Sequence, residues 1–327
     1  MPALSARIGG RAKWWAAGIA VLAAVTWIGV GWYLSVVITA SRPWALDPEV
    51  EAKALHDAGI VTDGPVRHVR IPSGDVTLAA TYLKNPRSSS CAVVFLNGYA
   101  VRRPDLIPAV PVFWELGCDA VIYDHRGAGE SSDTQRTFGF LEKQDTAAVV
   151  DWLAQASNVP KSRIGLWGVS FGASVALQTL EIEPTLGFVV ADTSFSSMRD
   201  IVEETGVREY GDWIRQFSSV AFFLTEMRTG LRVDDVAPVN SVVGVSTPIL
   251  LVHSREDPAT PARHSRAIFL NADPRNAALQ ITDWGAGHGD SVLVNFDGYR
   301  DLVHRFLRAH RPDFPNPDEV GEVQATQ

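Results

Sequence analysis

The sequence Gly168-Val169-Ser170-Phe171-Gly172 lies between two apolar segments of different periodicity. Residues 163–167 form a short segment that is apolar after Arg163, which predicts a buried strand, and residues 173–180 predict a helix. A serine on a sharp strand-to-helix turn is a nucleophile elbow, in which the backbone of the serine is strained and only small residues fit two positions before and after it. The segment therefore predicts an exposed, reactive hydroxyl on Ser170, close to the positive end of a helix.

Apolar strands alternate with helices from residue 91 onward, on both sides of the elbow. An alternating hairpin at residues 66–83 comes first. The continuous apolar strands are predicted at residues 91–96, 119–123, 163–167, 187–191, 248–252 and 278–281. Continuous apolar strands separated by helices predict an α/β fold, in which a mostly parallel sheet has helices on both faces.

Composition excludes several classes of protein. The chain has 327 residues, of which 46% are hydrophobic and 20% charged, with a net charge of −8. This is enough for one α/β domain of roughly 200–250 residues with additional segments. No basic run interleaved with aromatic residues is present, so a nucleic-acid partner is not predicted. The two cysteines exclude a disulfide scaffold and a cysteine-rich zinc site, and no metal or cofactor is predicted.

The N-terminal segment has the composition of a membrane-spanning helix. Residues 14–41 contain no charged residue, while Arg7, Arg11 and Lys13 precede them. A cleaved signal peptide and a buried core helix are the alternatives, but the apolar run exceeds a normal signal sequence, and residues 38–40 form a poor cleavage site. The positive-inside rule then predicts a single-pass membrane protein with a cytoplasmic N-terminus and an extracytoplasmic catalytic domain.

Ser170 requires a base to remove its proton and an acid to orient that base. In folds with such an elbow the acid and then the histidine follow the serine along the chain. His288 lies in a glycine-rich loop after the last predicted strand, and Asp257 directly follows the strand before it. Asp192 also follows a strand and is an alternative acid, whereas Glu256 is expected to turn away.

An acyl-transfer site also requires two backbone N–H groups that stabilise a developing oxyanion. The residue after the nucleophile, Phe171, supplies one of these groups. The loop after the first long parallel strand supplies the other, which predicts Tyr99 as the second donor. The alternative is that Asn97-Gly98 forms a simple turn.

Several motifs in one order resemble the alpha/beta-hydrolase superfamily, near its serine aminopeptidases, prolyl oligopeptidases and membrane-anchored lipases. The motifs, which cover roughly residues 66–310, are Asn97-Gly98, residues 123–131, residues 168–172, residues 248–257 and His288. The resemblance implies a Ser-His-Asp triad of Ser170, His288 and Asp257, and a structural role for residues 124–131. The sequence departs from the family where Asn97-Gly98 and His253-Ser254 replace the usual His-Gly pairs.

The predicted function is a membrane-anchored serine hydrolase that cleaves an ester, thioester or lipid acyl bond through an acyl-enzyme. Its partners would be a small-molecule or lipid acyl substrate and the membrane that receives the N-terminal helix. A serine peptidase related to the aminopeptidases, and a non-catalytic binding protein with the hydrolase fold, are the alternatives. The oligomeric state is not predicted.

The predicted organisation has four consecutive parts. Residues 1–42 form a cytoplasmic N-terminus and an anchor, residues 43–65 a connector, residues 66–310 the hydrolase domain, and residues 311–327 a disordered tail. The anchor is expected to be a tether only, so that its removal would leave a folded domain.

An insertion at residues 195–246 interrupts the alternation of strands and helices. Its apolar residues at helical spacing are Trp213, Phe217, Val220, Leu224 and Met227. They predict either an ordinary amphipathic helix packed on the domain or a cap over Ser170 that lines an acyl pocket.

Cys91 and Cys118 begin strands that are adjacent and parallel in this fold, each six residues before the strand end. They are therefore expected to lie side by side, at the end of the sheet opposite the active site. Either a disulfide or two buried free thiols would fit this arrangement.

Overall fold

The computed structural model describes residues 3–87 and 90–315. These residues form two compact units. One contains the N-terminal helix and residues 202–233, and the other contains residues 41–201 together with the chain from residue 234 onward.

The strands of the larger unit are β1 (Arg42–Pro43), β2 (Arg67–Ser73), β3 (Val76–Leu83), β4 (Ala92–Leu96), β5 (Asp119–Tyr123), β6 (Ala128–Gly129), β7 (Ile164–Val169), β8 (Phe188–Asp192), β9 (Ile249–Ser254) and β10 (Ala277–Thr282). Strands β1 and β6 form a separate short pair, and the others form an eight-stranded sheet with the order β10-β9-β8-β7-β4-β5-β3-β2. Among the described residues, pairing is antiparallel only for β2 with β3 and β3 with β5. Strands β4, β5, β7 and β8 are buried throughout, as strands with both faces covered must be. The prediction of a mostly parallel alpha/beta-hydrolase sheet is confirmed.

The helices separate these strands along the chain. The α-helices are α1 (Ala3–Ile38), α2 (Pro48–Asp57), α3 (Pro111–Trp114), α4 (Glu142–Ser157), α5 (Phe171–Thr179), α6 (Met198–Tyr210), α7 (Ser218–Thr229), α8 (Pro238–Ser241), α9 (Arg263–Asn271), α10 (Ser291–Val294) and α11 (Phe296–His310). Shorter 3₁₀ helices span Arg103–Ala109, Lys161–Arg163, Asp212–Phe217 and Val233–Asp235.

The helix expected at residues 106–116 is not continuous. It is replaced by the 3₁₀ helix Arg103–Ala109 and the four-residue α3. Pro108 and Pro111 lack the N–H that an α-helix needs and crowd the preceding turn, so they divide the segment. Its apolar side chains still reach the core, because Ile107 and Phe113 are almost completely buried.

The segment predicted as a connector is part of the larger unit. Asp47 Oδ1 accepts hydrogen bonds from the N–H groups of Glu49 and Val50 at 3.0 and 3.3 Å, which fixes the start of α2. Leu55 packs into the main core, and the buried carboxylate of Glu51 accepts a 2.8 Å hydrogen bond from Thr81 Oγ1. These contacts make α2 a structural helix of the domain.

The two cysteines form a disulfide, with their Cα atoms 4.6 Å apart. They directly precede β4 and β5, whose register pairs Ala92 with Asp119, so the expected proximity is confirmed. Because both lie outside the paired strands, the ladder does not hold their side chains parallel.

The predicted disordered tail lies mainly outside the described residues, which end at residue 315. Its first residues are packed on the domain and differ from the prediction. Phe314 is buried, with its ring 5.2 Å from that of Phe188, and Arg311 donates to the carbonyl of Gly187. The closing helix α11 therefore ends with an aromatic anchor.

The smaller unit joins α1 to the insertion. Helix α1 is long and apolar enough over Lys13–Ile38 to cross a membrane, with only 11% of its most apolar window buried. Ile214, Phe217 and Val220 of the insertion form a buried cluster against Val30 and Leu34 of this helix. Helix α1 thus packs against this part of the insertion, and a folded domain without residues 1–42 stays a prediction.

The helical face predicted in the insertion is only partly buried. Phe217 and Val220 are buried, whereas Trp213 and Met227 are 56% and 68% exposed. Gly211, with a φ of 89°, separates the unpredicted helix α6 from the 3₁₀ helix Asp212–Phe217. The role of the insertion as a cap stays a prediction.

Candidate active site

Ser170 stands between β7 and α5 in a strained backbone conformation, with φ 55° and ψ −116°. A Cβ on Gly172 would lie 2.1 Å from the carbonyl oxygen of Leu96, and one on Gly168 would lie 2.5 Å from the backbone of Gly172. Both clashes are with main-chain atoms that cannot move aside. The two glycines therefore allow the sharp turn that exposes the serine.

The three side chains predicted as a triad are brought together at the carboxyl edge of the sheet. Ser170 Oγ lies 2.7 Å from His288 Nε2, and His288 Nδ1 lies 2.7 Å from Asp257 Oδ2. Each side chain follows a different parallel strand, namely β7, β9 and β10. Parallel strands bring their carboxyl ends to one edge, so residues 118 positions apart can meet there.

Asp257 is held in place by the backbone as well as by His288. Its Oδ1 accepts hydrogen bonds from the N–H groups of Ala259 and Thr260 at 2.8 and 2.9 Å. Burial alone would raise the pKa of Asp257, but hydrogen bonds from His253 and His288 hold that pKa well below its usual value. The carboxylate is thus ionised and can orient the imidazole of His288 and stabilise its charged form.

The loop that carries His288 relies on glycines and on one serine. Gly285 and Gly289 have φ angles of 73° and 77°, a region that favours glycine. Ser254 Oγ, at the end of β9, donates a 2.6 Å hydrogen bond to the carbonyl of Ala286. Ser254 therefore ties the histidine loop to the strand that leads into Asp257, a contact that sequence reasoning missed.

Asp192, the alternative acid, is not the hydrogen-bond partner of His288. His288 Nδ1 has only one hydrogen, and it is directed at Asp257. The carboxylate of Asp192 is fully buried near His253 and Tyr299, and burial raises its pKa to about 7 against the attraction of His253. Its backbone carbonyl accepts a 2.8 Å hydrogen bond from the N–H of Ser170, so Asp192 supports the elbow.

The loop that contains Tyr99 lies beside the nucleophile. A Cβ on Gly98 would lie 3.7 Å from Ser170 Cβ, so the backbone approaches the serine closely. The Arg136 guanidinium stacks 3.4 Å from the ring centroid of Tyr99 and donates to its carbonyl at 2.5 Å. Phe171 N–H belongs to the first turn of α5, where helical N–H groups have no acceptor within the helix.

Residues 124–131 form a buried polar support beside the site. Arg126 makes a two-pronged ion pair with Asp145, at 2.6 and 2.8 Å. Asp124 pairs with Arg103 at 3.0 Å, and Ser131 Oγ donates to the carbonyl of Asp124 at 2.6 Å. The charged side chains of Asp124, Arg126 and Glu130 each have an opposite partner, so these ion pairs hold the loop in place.

Within residues 3–87 and 90–315, no three His, Cys, Asp or Glu side chains are grouped so that they could hold a metal ion.

Comparison with known proteins identifies relatives among hydrolases. The chain is 28% identical over 225 residues to YqkD, an uncharacterized protein of Bacillus subtilis, covering 68% of this chain and 72% of YqkD. It is 26% identical over 238 residues to a lysophosphatidylserine lipase of Macaca fascicularis, covering 69% of this chain and 58% of that one. The structure resembles an esterase of Pyrococcus furiosus with a TM-score of 0.63 at 22% identity, covering 83% of this chain and 97% of that one.

The sequence profile of the X-Pro dipeptidyl-peptidase (S15) family matches residues 37–221, more than half of the chain. The match includes the elbow at Ser170 and ends before Asp257 and His288. The alpha/beta-hydrolase fold described above and the hydrolases among the relatives agree with this match. The chain belongs to the S15 family of serine hydrolases within the alpha/beta-hydrolase superfamily.

Proposed function

We propose that this protein is a membrane-anchored serine hydrolase that cleaves an ester, thioester or lipid acyl bond through an acyl-enzyme on Ser170. The observation that carries the proposal is the continuous hydrogen-bonded chain from Ser170 through His288 to Asp257, with 2.7 Å at both steps. A hydroxyl is a weak nucleophile unless an adjacent base takes its proton, and this chain supplies that base.

The reaction proceeds in two halves. Ser170 Oγ attacks the acyl carbon while its proton moves to His288 Nε2, and the bond to the leaving group breaks as that proton is returned to it. Water then attacks the acyl-enzyme, giving its proton to His288, and Ser170 Oγ leaves with that proton. Asp257 keeps the Nδ1 proton on the side away from the serine throughout. The backbone N–H groups of Phe171 and Tyr99 stabilise the oxyanion in both halves.

A membrane setting is supported by two independent features. Within helix α1, the 26 residues Lys13–Ile38 have the length and hydropathy that cross a bilayer. The disulfide between Cys91 and Cys118 favours an oxidising compartment, which agrees with a catalytic domain outside the cytoplasm. Basic residues ahead of the span favour the same orientation.

The choice of acyl substrate is supported by the lipase relative and by the apolar anchor, which would hold the enzyme beside its lipids. A serine peptidase is the second candidate, because the matching family is named for X-Pro dipeptidyl peptidases. The two candidates share the same triad and differ in the bond that is cleaved.

A fluorophosphonate probe tests the serine mechanism directly. We expect the native protein to be labelled and Ser170→Ala to remain unlabelled, with His288→Ala strongly reduced. Equal labelling of the native protein and Ser170→Ala would refute the assignment, and an unreactive native protein would favour a non-catalytic binding protein. p-Nitrophenyl esters of graded chain length, compared with X-Pro p-nitroanilides, then distinguish an esterase from a peptidase.

A further inference from the structure

The contacts between α1 and the insertion follow a regular ladder. Trp27 Nε1 donates a 3.0 Å hydrogen bond to the carbonyl of Gln216, and a Cβ on Gly31 would lie 2.5 Å from Val220 Cγ1. One level further along, Arg228 Nη1 donates to Ser35 Oγ at 2.8 Å. The partners on α1 are four residues apart, which is the spacing of one ridge of an α-helix.

This ladder gives the direction of the insertion relative to α1. Residue numbers rise together on both sides, from Trp27 with Gln216 to Thr39 with Arg228, and both of these pairs are 189 positions apart. Helix α7 therefore runs parallel to α1. The 3₁₀ helix Asp212–Phe217 lies at the level of Trp27, and the end of α7 lies at the level of Thr39.

The length of α1 shows where a bilayer would end. The helix has 36 residues, about 54 Å at 1.5 Å per residue, whereas a hydrocarbon core of ~30 Å needs about 20 residues. Counting about 20 residues from Lys13 reaches Trp32, so the outer boundary falls near Trp32 and Tyr33. Trp27 lies five residues, roughly 7 Å, below this level, which is within the ~5–10 Å that interfacial segments sink into the boundary between headgroups and acyl chains.

We infer that residues 208–217, at the tip of the insertion, lie in the interfacial layer of the bilayer that α1 crosses. This inference rests on the membrane anchor proposed above. Tyr210 and Trp213 are 43% and 56% exposed, the two aromatic types that favour the membrane interface. Asp212 is 88% exposed, so the tip cannot lie deep in the hydrocarbon core.

The remaining contacts explain how the tip is held at this depth. Tyr210 interacts with Tyr33 of α1, and the ring of Trp213 lies 5.9 Å from that of Phe217. Further up, the Arg228 guanidinium lies 5.3 Å from the ring centroid of Trp32. Residues 210–228 are thus fixed to α1, and the depth of α1 in the bilayer sets the depth of the tip.

Single-cysteine labelling of the full-length chain tests the inference. Both native cysteines are in the disulfide, so an added cysteine is the single free thiol. A fluorophore is attached to Ile19→Cys, Trp213→Cys or Met227→Cys in phosphatidylcholine vesicles. Quenching is measured with iodide in water and with lipids that carry a nitroxide near the headgroup or at mid-chain. Asp212→Cys serves as a second probe of the tip where Trp213→Cys folds poorly.

We expect mid-chain nitroxide to quench the label at position 19, headgroup-level nitroxide to quench it at 213, and iodide to quench it at 227. Tip labels that respond only to iodide, while position 19 responds to mid-chain nitroxide, would overturn the inference and leave the anchor intact. Tip labels as deep as position 19, or shielded from every quencher as by a protein partner, would also overturn it. A label at position 19 that no lipid quenches would refute the anchor itself.

Discussion

Asp257→Asn should abolish nearly all turnover although it changes one atom. Asp257 Oδ1 accepts two backbone N–H groups at 2.8 and 2.9 Å, from Ala259 and Thr260. In the variant, the amide oxygen must take that position, because an NH₂ group there would face two donors. The NH₂ then faces His288 Nδ1 and forces that nitrogen to accept a hydrogen bond.

The expected magnitude follows from the change of tautomer. With Nδ1 as acceptor, the proton of a neutral imidazole resides on Nε2, where it cannot accept the proton of Ser170. A triad in the wrong tautomer loses about 10⁴-fold in kcat, which corresponds to ~5.5 kcal/mol in the transition state. The backbone hydrogen bonds are kept, so the fold and the substrate KM should change little.

The matched control is Asp192→Asn, a change of the same kind at the alternative acid. Steady-state hydrolysis of a p-nitrophenyl ester, with circular dichroism to verify folding, gives kcat and KM for both variants. We expect Asp192→Asn to retain activity within roughly tenfold, since Asp192 contacts Ser170 through its backbone carbonyl, which the substitution keeps. A crippled Asp192→Asn beside an active Asp257→Asn would refute the assignment of the acid.

Three further predictions concern stability. Gly31→Val should destabilise the packing of α7 on α1 by about 1–3 kcal/mol, because the new side chain meets Val220; a lower melting temperature and weaker hydrogen-exchange protection of α7 would report this. Gly29→Val is the control, since a side chain there meets nothing within 4 Å, and equal effects of the two variants would refute the packing. Replacing Cys91 and Cys118 by alanine opens a loop of 27 residues and should lower the free energy of unfolding, measured with denaturant, by about 3–4 kcal/mol. Thiol titration of the unfolded, unreduced native protein should find no free thiol. Burial raises the pKa of Asp192 to about 7, so the folded state holds a proton that the unfolded chain releases above pH 4. The free energy of unfolding should therefore fall as the pH rises from 4 to 7, and Asp192→Asn should flatten that fall.

The sheet and the triad geometry could be read from local patterns. Each of Ser170, Asp257 and His288 follows an apolar strand, and a parallel sheet brings all strand ends to one edge. The disulfide was only half predictable for a related reason. Register placed Cys91 beside Cys118, but whether two thiols bond depends on side-chain directions just outside the strands, which no sequence pattern encodes.

Other features depended on contacts that sequence periodicity does not record. Arg136 stacks on Tyr99 from a loop 37 residues away, and nothing around Arg136 distinguishes it from a solvated arginine. Pro108 and Pro111 were visible in the sequence, yet the apolar spacing of residues 106–116 outweighed them in the prediction of one helix. Two prolines three residues apart are the stronger signal, since each removes a backbone donor.

The packing of α1 on the insertion changes the meaning of both segments. Taken alone, residues 14–41 predict a tether and residues 195–246 predict a cap, and neither prediction requires the other. The cluster of Ile214, Phe217 and Val220 buries its apolar surface against α1, where each such side chain contributes about 1.5–3 kcal/mol. A chain that lacks residues 1–42 would therefore expose this surface, and Arg228 would lose its partners Ser35 and Thr39. Helix α1 and residues 202–233 form one compact unit, so a change that removes α1 also removes the packing partners of these residues.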